Sequence, residues 1–400
     1  MHLYDVPLAF ELAGLALYVV LAGADFGAGF WQLFAGGRHA DEVRDHAHAS
    51  MGPVWEANHV WLIFVLTVMW TSYPRAFGSL ASTLSIPLFV AGIGIVLRGA
   101  AYAIRPGSAT KRQERAIDAV FGVSSILTPF ALGAAVGGIA SLRVPSGNAA
   151  GDLVTSWLNP TSITIGVIAV ATSAYLAAVY LAADAQRERH PELVTLFRER
   201  ALGAGVVAGI AAAAGIVVLR FDAHRLFDRL VEGKAVVAVA VSAAAGVATL
   251  ALVVGRRFEP ARYTAALAVA AIVAGWGIAQ NPLVLSDLTV SQAAASRSTL
   301  IAVIVAVVGG GIVLFPSLGL LFRLVLGGKL GHGAVADADA SRVTTPLRPS
   351  RIAPRLAGAL AVVGVGLLTV AEADWAHGIG VCALLGFVVA GVAAVRPESL

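Results

Sequence analysis

Cysteine is almost absent from this chain of 400 residues, Cys382 being the only one. A single thiol excludes internal disulfides, a CxxCH haem attachment and thiolate metal clusters. In its apolar stretch Cys382 reads as a small packing residue. Charge is scarce as well: 13% of residues are Asp, Glu, Lys or Arg, against about 25% in soluble domains. The net charge of +4 is modest and gives no sign of nucleic-acid binding. The amino terminus lacks the basic region and small-residue cleavage site of a signal peptide, so the first apolar segment reads as a retained helix. No fixed-period repeat is visible.

What remains is hydrophobic, at 58% of residues and a mean hydropathy of +0.82. That composition predicts an all-α polytopic membrane protein lodged in a lipid bilayer. Apolar windows at about 8–33, 54–72, 79–103, 116–141, 162–184, 201–219, 235–254, 263–280 and 297–325 predict nine helices. Two more fit about 355–371 and 376–394. The expected organisation is a membrane domain over 1–325, a polar linker over 326–354 and an added helix pair over 355–400.

Basic residues orient the bundle. Of the 28 Lys and Arg, twenty fall in the tail and in loops after odd-numbered helices, and seven in the alternate loops. The last, Arg98, lies inside a helix. The richer side is cytoplasmic, which predicts an external amino terminus and an internal carboxyl terminus. The stretch 220–234 departs from this bias. There Phe221, Leu226, Phe227 and Leu230 alternate with charges, as in a short amphipathic segment at the outer surface.

Charges inside the apolar windows are the candidate site. Pro53 suits a helix start, and the turns after it carry Glu56, Asn58 and His59 between Trp55 and Trp61. Glu56 and His59 are three residues apart and share a helix face. Asp25 stands about 27 Å along the first helix, between Gly23, Gly27 and Gly29, which permit close helix approach. The predicted topology brings Asp25, Glu56 and Arg98 to one depth near the cytoplasmic side. A carboxylate at the bilayer centre costs about 2.5–3.5 kcal/mol on insertion scales, so such groups face the bundle interior and pair. From the residues alone two readings stay open: a proton-conducting or quinone-facing cluster, or a structural ion network locking three helices.

Four motifs then point to a family. Gly23-Ala24-Asp25-Phe26-Gly27-Ala28-Gly29 resembles the G-x-D-F-G-x-G signature of subunit II of cytochrome bd-type quinol oxidases. Pro53-Val54-Trp55-Glu56-Ala57-Asn58-His59-Val60-Trp61 resembles that family's P-x-W-[DE]-x-N-x-V-W block. Tyr73-Pro74-Arg75-Ala76-Phe77 resembles its [YF]-P-x-x-[FY] turn, and Leu97-Arg98-Gly99-Ala100-Ala101-Tyr102 its [LF]-R-[GP]-x-[AG]-[FY] helix end. A weaker echo follows at Asn281-Pro282 and over 286–300.

The resemblance implies two four-helix bundles plus a peripheral helix, paired with a homologous subunit I in a bacterial cytoplasmic membrane. It places two b-type haems, one d-type or b-type haem and the quinol site in subunit I. It leaves this chain no metal and no catalytic residue, but a share in a cytoplasmic proton path through Asp25, Glu56 and Arg98, with Asn58 and His59 lining it. Small single-helix accessory subunits and a structural quinone in this chain are further options of the family pattern. Glu56 stands where many members have Asp, and Ala103 where some carry a second acid. The last two helices exceed the family pattern. An ion or small-solute transporter, and a subunit II homologue acting as assembly partner, remain as alternatives.

Overall fold

The computed structural model describes residues 2–51, 55–105 and 110–326 and scattered positions from 356 to 387, with side chains at 51–57 and 318–326 left undescribed. Pro53 and the C-terminal linker therefore lie outside the described residues, as do the side chains of Trp55 and Glu56. Contacts divide the chain into two units, Met1–Val313 and Leu314–Leu400. In the second, the described positions from Leu356 to Phe387 are helical.

The chain begins with α1 (Asp5–Leu33), α2 (Ala40–Met51), α3 (Trp55–Ser72), α4 (Pro74–Thr83) and α5 (Ser85–Ile104). Then come α6 (Lys111–Ala140), α7 (Pro160–Arg187), α8 (Pro191–Asp222), α9 (His224–Val231), α10 (Val236–Val254) and α11 (Phe258–Gln280). A short hairpin, β1 (Leu283–Leu285) and β2 (Leu288–Thr289), leads through α12 (Val290–Ala293) to α13 (Arg297–Leu326). Among the described residues eight helices are long and apolar enough to cross a membrane: α1, α5, α6, α7, α8, α10, α11 and α13. The apolar stretch Asn58–Ser72 of α3 is shorter than these eight.

Local chemistry sets the helix ends. Asn159 accepts the N–H of Ser162 at 2.9 Å and Pro160 opens α7, a pairing of cap and first-turn proline that leaves few orphan donors. Thr110 caps α6 through the N–H of Gln113, and Pro74 and Pro191 open α4 and α8. One expectation needs correction. The apolar window from about 79 to 103 is two helices that meet at Leu84. Pro87 has no N–H for the carbonyl of Thr83, and its ring would clash there, so α4 cannot run on into α5.

Two groups of four helices build the membrane domain. In the first, α1 packs on α3 and α6, and α5 packs on α6. In the second, α7 packs on α8 and α11, and α10 on α11. They join along α1 and α7, where Gly27 lies so close to the Ser173 carbonyl that a Cβ has no room, and where the Trp31 indole donates to the Ala174 carbonyl at 2.8 Å. The shared core is rich in alanine, with Ala177, Ala178, Ala182 and Ala185 of α7 against Ala261 and Ala265 of α11. Small side chains gain their stability in lipid from this close approach.

The bundle ends differ. At one end α2 lies against α7 and α1. At the other, Tyr73 donates to the Tyr4 carbonyl at 2.6 Å, and Arg143 grips Asp222 through two bonds of 3.0 and 2.7 Å. The β1–β2 turn docks there through Asp287. Two bonds from Ser146, one from its hydroxyl and one from its N–H, hold the Asp287 carboxyl below the usual carboxylate range.

Candidate functional site

Arg98 is the centre of the site. Its side chain is fully buried on α5, facing α1 and α6. One terminal nitrogen donates to a carboxylate oxygen of Asp25 at 2.5 Å and to the Asp25 carbonyl at 2.8 Å. The other donates to the Ser125 hydroxyl. Aromatic faces close the guanidinium in, with the Phe121 ring centroid at 4.2 Å and that of Phe26 at 5.0 Å. A cation over desolvated rings gains about 2 kcal/mol, and the further bonds of Arg98 to Ser125 and to the Asp25 carbonyl help the ion pair to offset the burial of its charge.

The motif glycines explain how the charges meet. A Cβ at Gly29 would collide with Ser125 and Phe121, the two residues that hold Arg98. Gly23 lies against Leu176 and Ser173 of α7. From α3, Asn58 and His59 act on the Asp25 carboxyl, and the Asn58 amide donates to the Leu21 carbonyl at 3.4 Å. Trp61 packs on Tyr18, Ala22 and Phe26 of α1. Asp25 and Arg98 thus meet as their spacing predicts, with Asn58 and His59 beside them. The carboxylate that Arg98 holds is that of Asp25; the Glu56 side chain is not described. Pro74 lies at the far end of the bundle from this cluster, opening α4.

A second set of residues escapes the sequence reading. Gln32, one turn beyond Gly29, donates to Asp118 of α6 at 2.8 Å. Arg105 donates to the same Asp118 oxygen at 2.8 Å and reaches Asp45 of α2 at 3.2 Å. Asp45 is exposed and Asp118 is buried. The result is a polar ladder from the surface of α2 through Arg105, Asp118 and Gln32 to the turn of α1 above Asp25. Burial, and then the charge of Arg105, keep the nearby His48 ring below its usual range. α2 itself is tied down by His46, whose nitrogens contact Glu188 and the Leu181 carbonyl, each at 3.1 Å.

Fold and site together define a multi-pass helical membrane protein with an ion pair buried among its helices. The model of one family, cytochrome bd terminal oxidase subunit II, matches residues 6–325, and the chain belongs to that family. A Bacillus subtilis protein named provisionally as a cytochrome bd menaquinol oxidase subunit II is 23% identical over 223 residues, 54% of this chain and 62% of the relative. The cytochrome bd ubiquinol oxidase subunit 2 of Bacillus subtilis is 28% identical over 116 residues, 29% of this chain and 34% of the relative. Each alignment therefore spans less than two thirds of the relative. The fold matches a chain of the solved bd oxidase from Geobacillus thermodenitrificans with a TM-score of 0.64 and 25% identity, covering 82% of this chain and 99% of that one.

Proposed function

We propose that this chain is the haem-free subunit II of a quinol:oxygen oxidoreductase, and that it carries protons from the cytoplasm toward the oxygen-reducing site of a haem-bearing subunit I. The observation that carries this reading is the ladder from exposed Asp45 through Arg105 and Asp118 to Gln32, which ends two turns of α1 from the buried Asp25–Arg98 pair. Oxygen reduction consumes protons, and a row of hydrogen-bonding side chains leading inward from a charged helix supplies them. The basic-side rule makes the α2 end cytoplasmic. Glu56 belongs to the same route on its motif and its place in the first turn of α3. The pair of haem b groups and the third haem belong to the partner. Among the described histidines only His59 lies on a membrane helix, and a six-coordinate haem takes two axial ligands.

Two variants test the route. Glu56→Gln and Asp118→Asn each keep size and hydrogen-bonding capacity but lose the proton-carrying acid. In assembled complexes each should cut oxygen consumption at least about tenfold, or roughly 1.4 kcal/mol of barrier. Glu56→Asp should retain much of the rate. Normal respiration in both acid-to-amide variants would make these carboxyl groups structural and remove the proton role.

A further inference from the structure

The inner face of α1 carries a polar side chain at every seventh residue: Glu11, Tyr18, Asp25 and Gln32. Seven residues fall about 20° short of two full turns, so the four side chains form one nearly straight stripe. It covers 21 residues, about 31 Å of helix axis, which is the thickness of the hydrocarbon layer. All four side chains are buried, Glu11 at 8% exposure, Tyr18 and Asp25 at 4% and Gln32 at 1%. Each also keeps a buried oxygen with no hydrogen-bond partner among the described residues: Glu11 Oε1, Tyr18 OH, Asp25 Oδ2 and Gln32 Oε1.

The facing helix repeats the pattern. On α6, Ser125 holds Arg98 and Leu132 packs against the cluster of Tyr18, Ala22 and Phe26. Thr128, one turn from each, is fully buried with its hydroxyl unpartnered among the described residues. Buried polar atoms left unsatisfied cost about 1–3 kcal/mol each, and proteins meet that cost with internal water, which takes about three partners per molecule. In lipid the other source is protein, and no described residue supplies a partner to these atoms. One unsatisfied oxygen is an accident of packing; a row of them along one face, at membrane-spanning length, is a lining.

We propose that the interior of the α1/α3/α5/α6 group binds a file of water molecules that runs past the Asp25–Arg98 pair to Glu11, so that this far carboxyl exchanges its proton with the aqueous phase. The file goes beyond the proton delivery proposed above, which ends at the pair. Glu11 becomes a second proton-holding group, about 21 Å from Asp25 along α1, at the end where Tyr73 and Tyr4 close the bundle.

Radiolysis of the full-length chain in its native membranes, in ¹⁸O-water, tests this directly. Bound water splits to hydroxyl radical and marks the side chains it touches. Tyr18 should take up ¹⁸O at least about fivefold faster than Phe197, an equally buried ring in the apolar core. Equal rates would show a dry interior and overturn the file. Thr128→Val, which replaces a hydroxyl with a methyl of the same size, and Glu11→Leu should each lower the Tyr18 label about threefold or more. If Glu11→Leu fails to assemble, Thr128→Val carries the comparison, and an unchanged Tyr18 label there refutes the lining. Labelling reads water and not turnover. A dry interior would thus leave the proton route at Glu56 and Asp118 standing, and normal respiration in those variants would leave the file standing.

Discussion

Arg98 and Asp25 each sit where lipid would otherwise be, and each makes the other tolerable. Arg98→Leu strands the Asp25 carboxylate, and losing one partner of a buried pair costs about 3–5 kcal/mol. Such a variant should lose most of its folded yield, whereas Arg98→Leu combined with Asp25→Leu should recover a large part of it; detergent-solubilised melting curves read both. Gly27 makes a sharper test of packing. Its missing Cβ would meet the Ser173 carbonyl, which is backbone and cannot turn aside. Gly27→Ala should therefore cost about 1–3 kcal/mol, while Gly92→Ala, facing open space, should leave the melting temperature unchanged. Both members of the ion pair are legible in the sequence, because a charge inside a long apolar window is too costly to persist without a partner. Asp118 and Arg105 are not. Arg105 ends α5 and Asp118 stands at the edge of the next apolar window, where charge is ordinary, and only the fold shows Asp118 turned inward to Gln32.

At the scale of elements, α2 is the piece that hydropathy cannot find. It is short and polar, and its reason for being a helix is its docking on α1 and α7. His46 supplies much of that docking: its ring is buried, bonded at both nitrogens, and lies 5.7 Å from the ring of Phe197. His46→Ala should release α2. Amide exchange over 40–51 should speed up at least about tenfold, a local loss of roughly 1.4 kcal/mol, with α7 still protected. Unchanged exchange would mean that α2 is held mainly by Arg105 and the His39 contacts to Glu42 and Glu192. The division between α4 and α5 was available in the sequence, since Pro87 marks it, but an apolar run on both sides hides a break of one residue. The amphipathic stretch after α8 is legible, and it folds as α9.

For the whole molecule, eight of the nine apolar windows of the membrane domain each correspond to one helix and the window from about 79 to 103 to two, since lipid leaves an apolar segment of that length no other way to satisfy its backbone. Orientation rests on the basic loops alone. Reporter fusions after residue 110 and after residue 150 should give cytoplasmic and external signals respectively, and the reverse pattern would place the Asp45 ladder on the wrong face for proton uptake. The distance in sequence between the partners of the buried ion pair has a consequence in time. Asp25 and Arg98 are separated by 73 residues, so at 5–20 residues per second the ribosome delivers the arginine roughly 4–15 s after the aspartate. For that interval α1 holds a carboxyl group that no cation yet answers. Its stable integration has to wait for α5, which makes the first five helices a single unit of biosynthesis and the insertion machinery their temporary shelter.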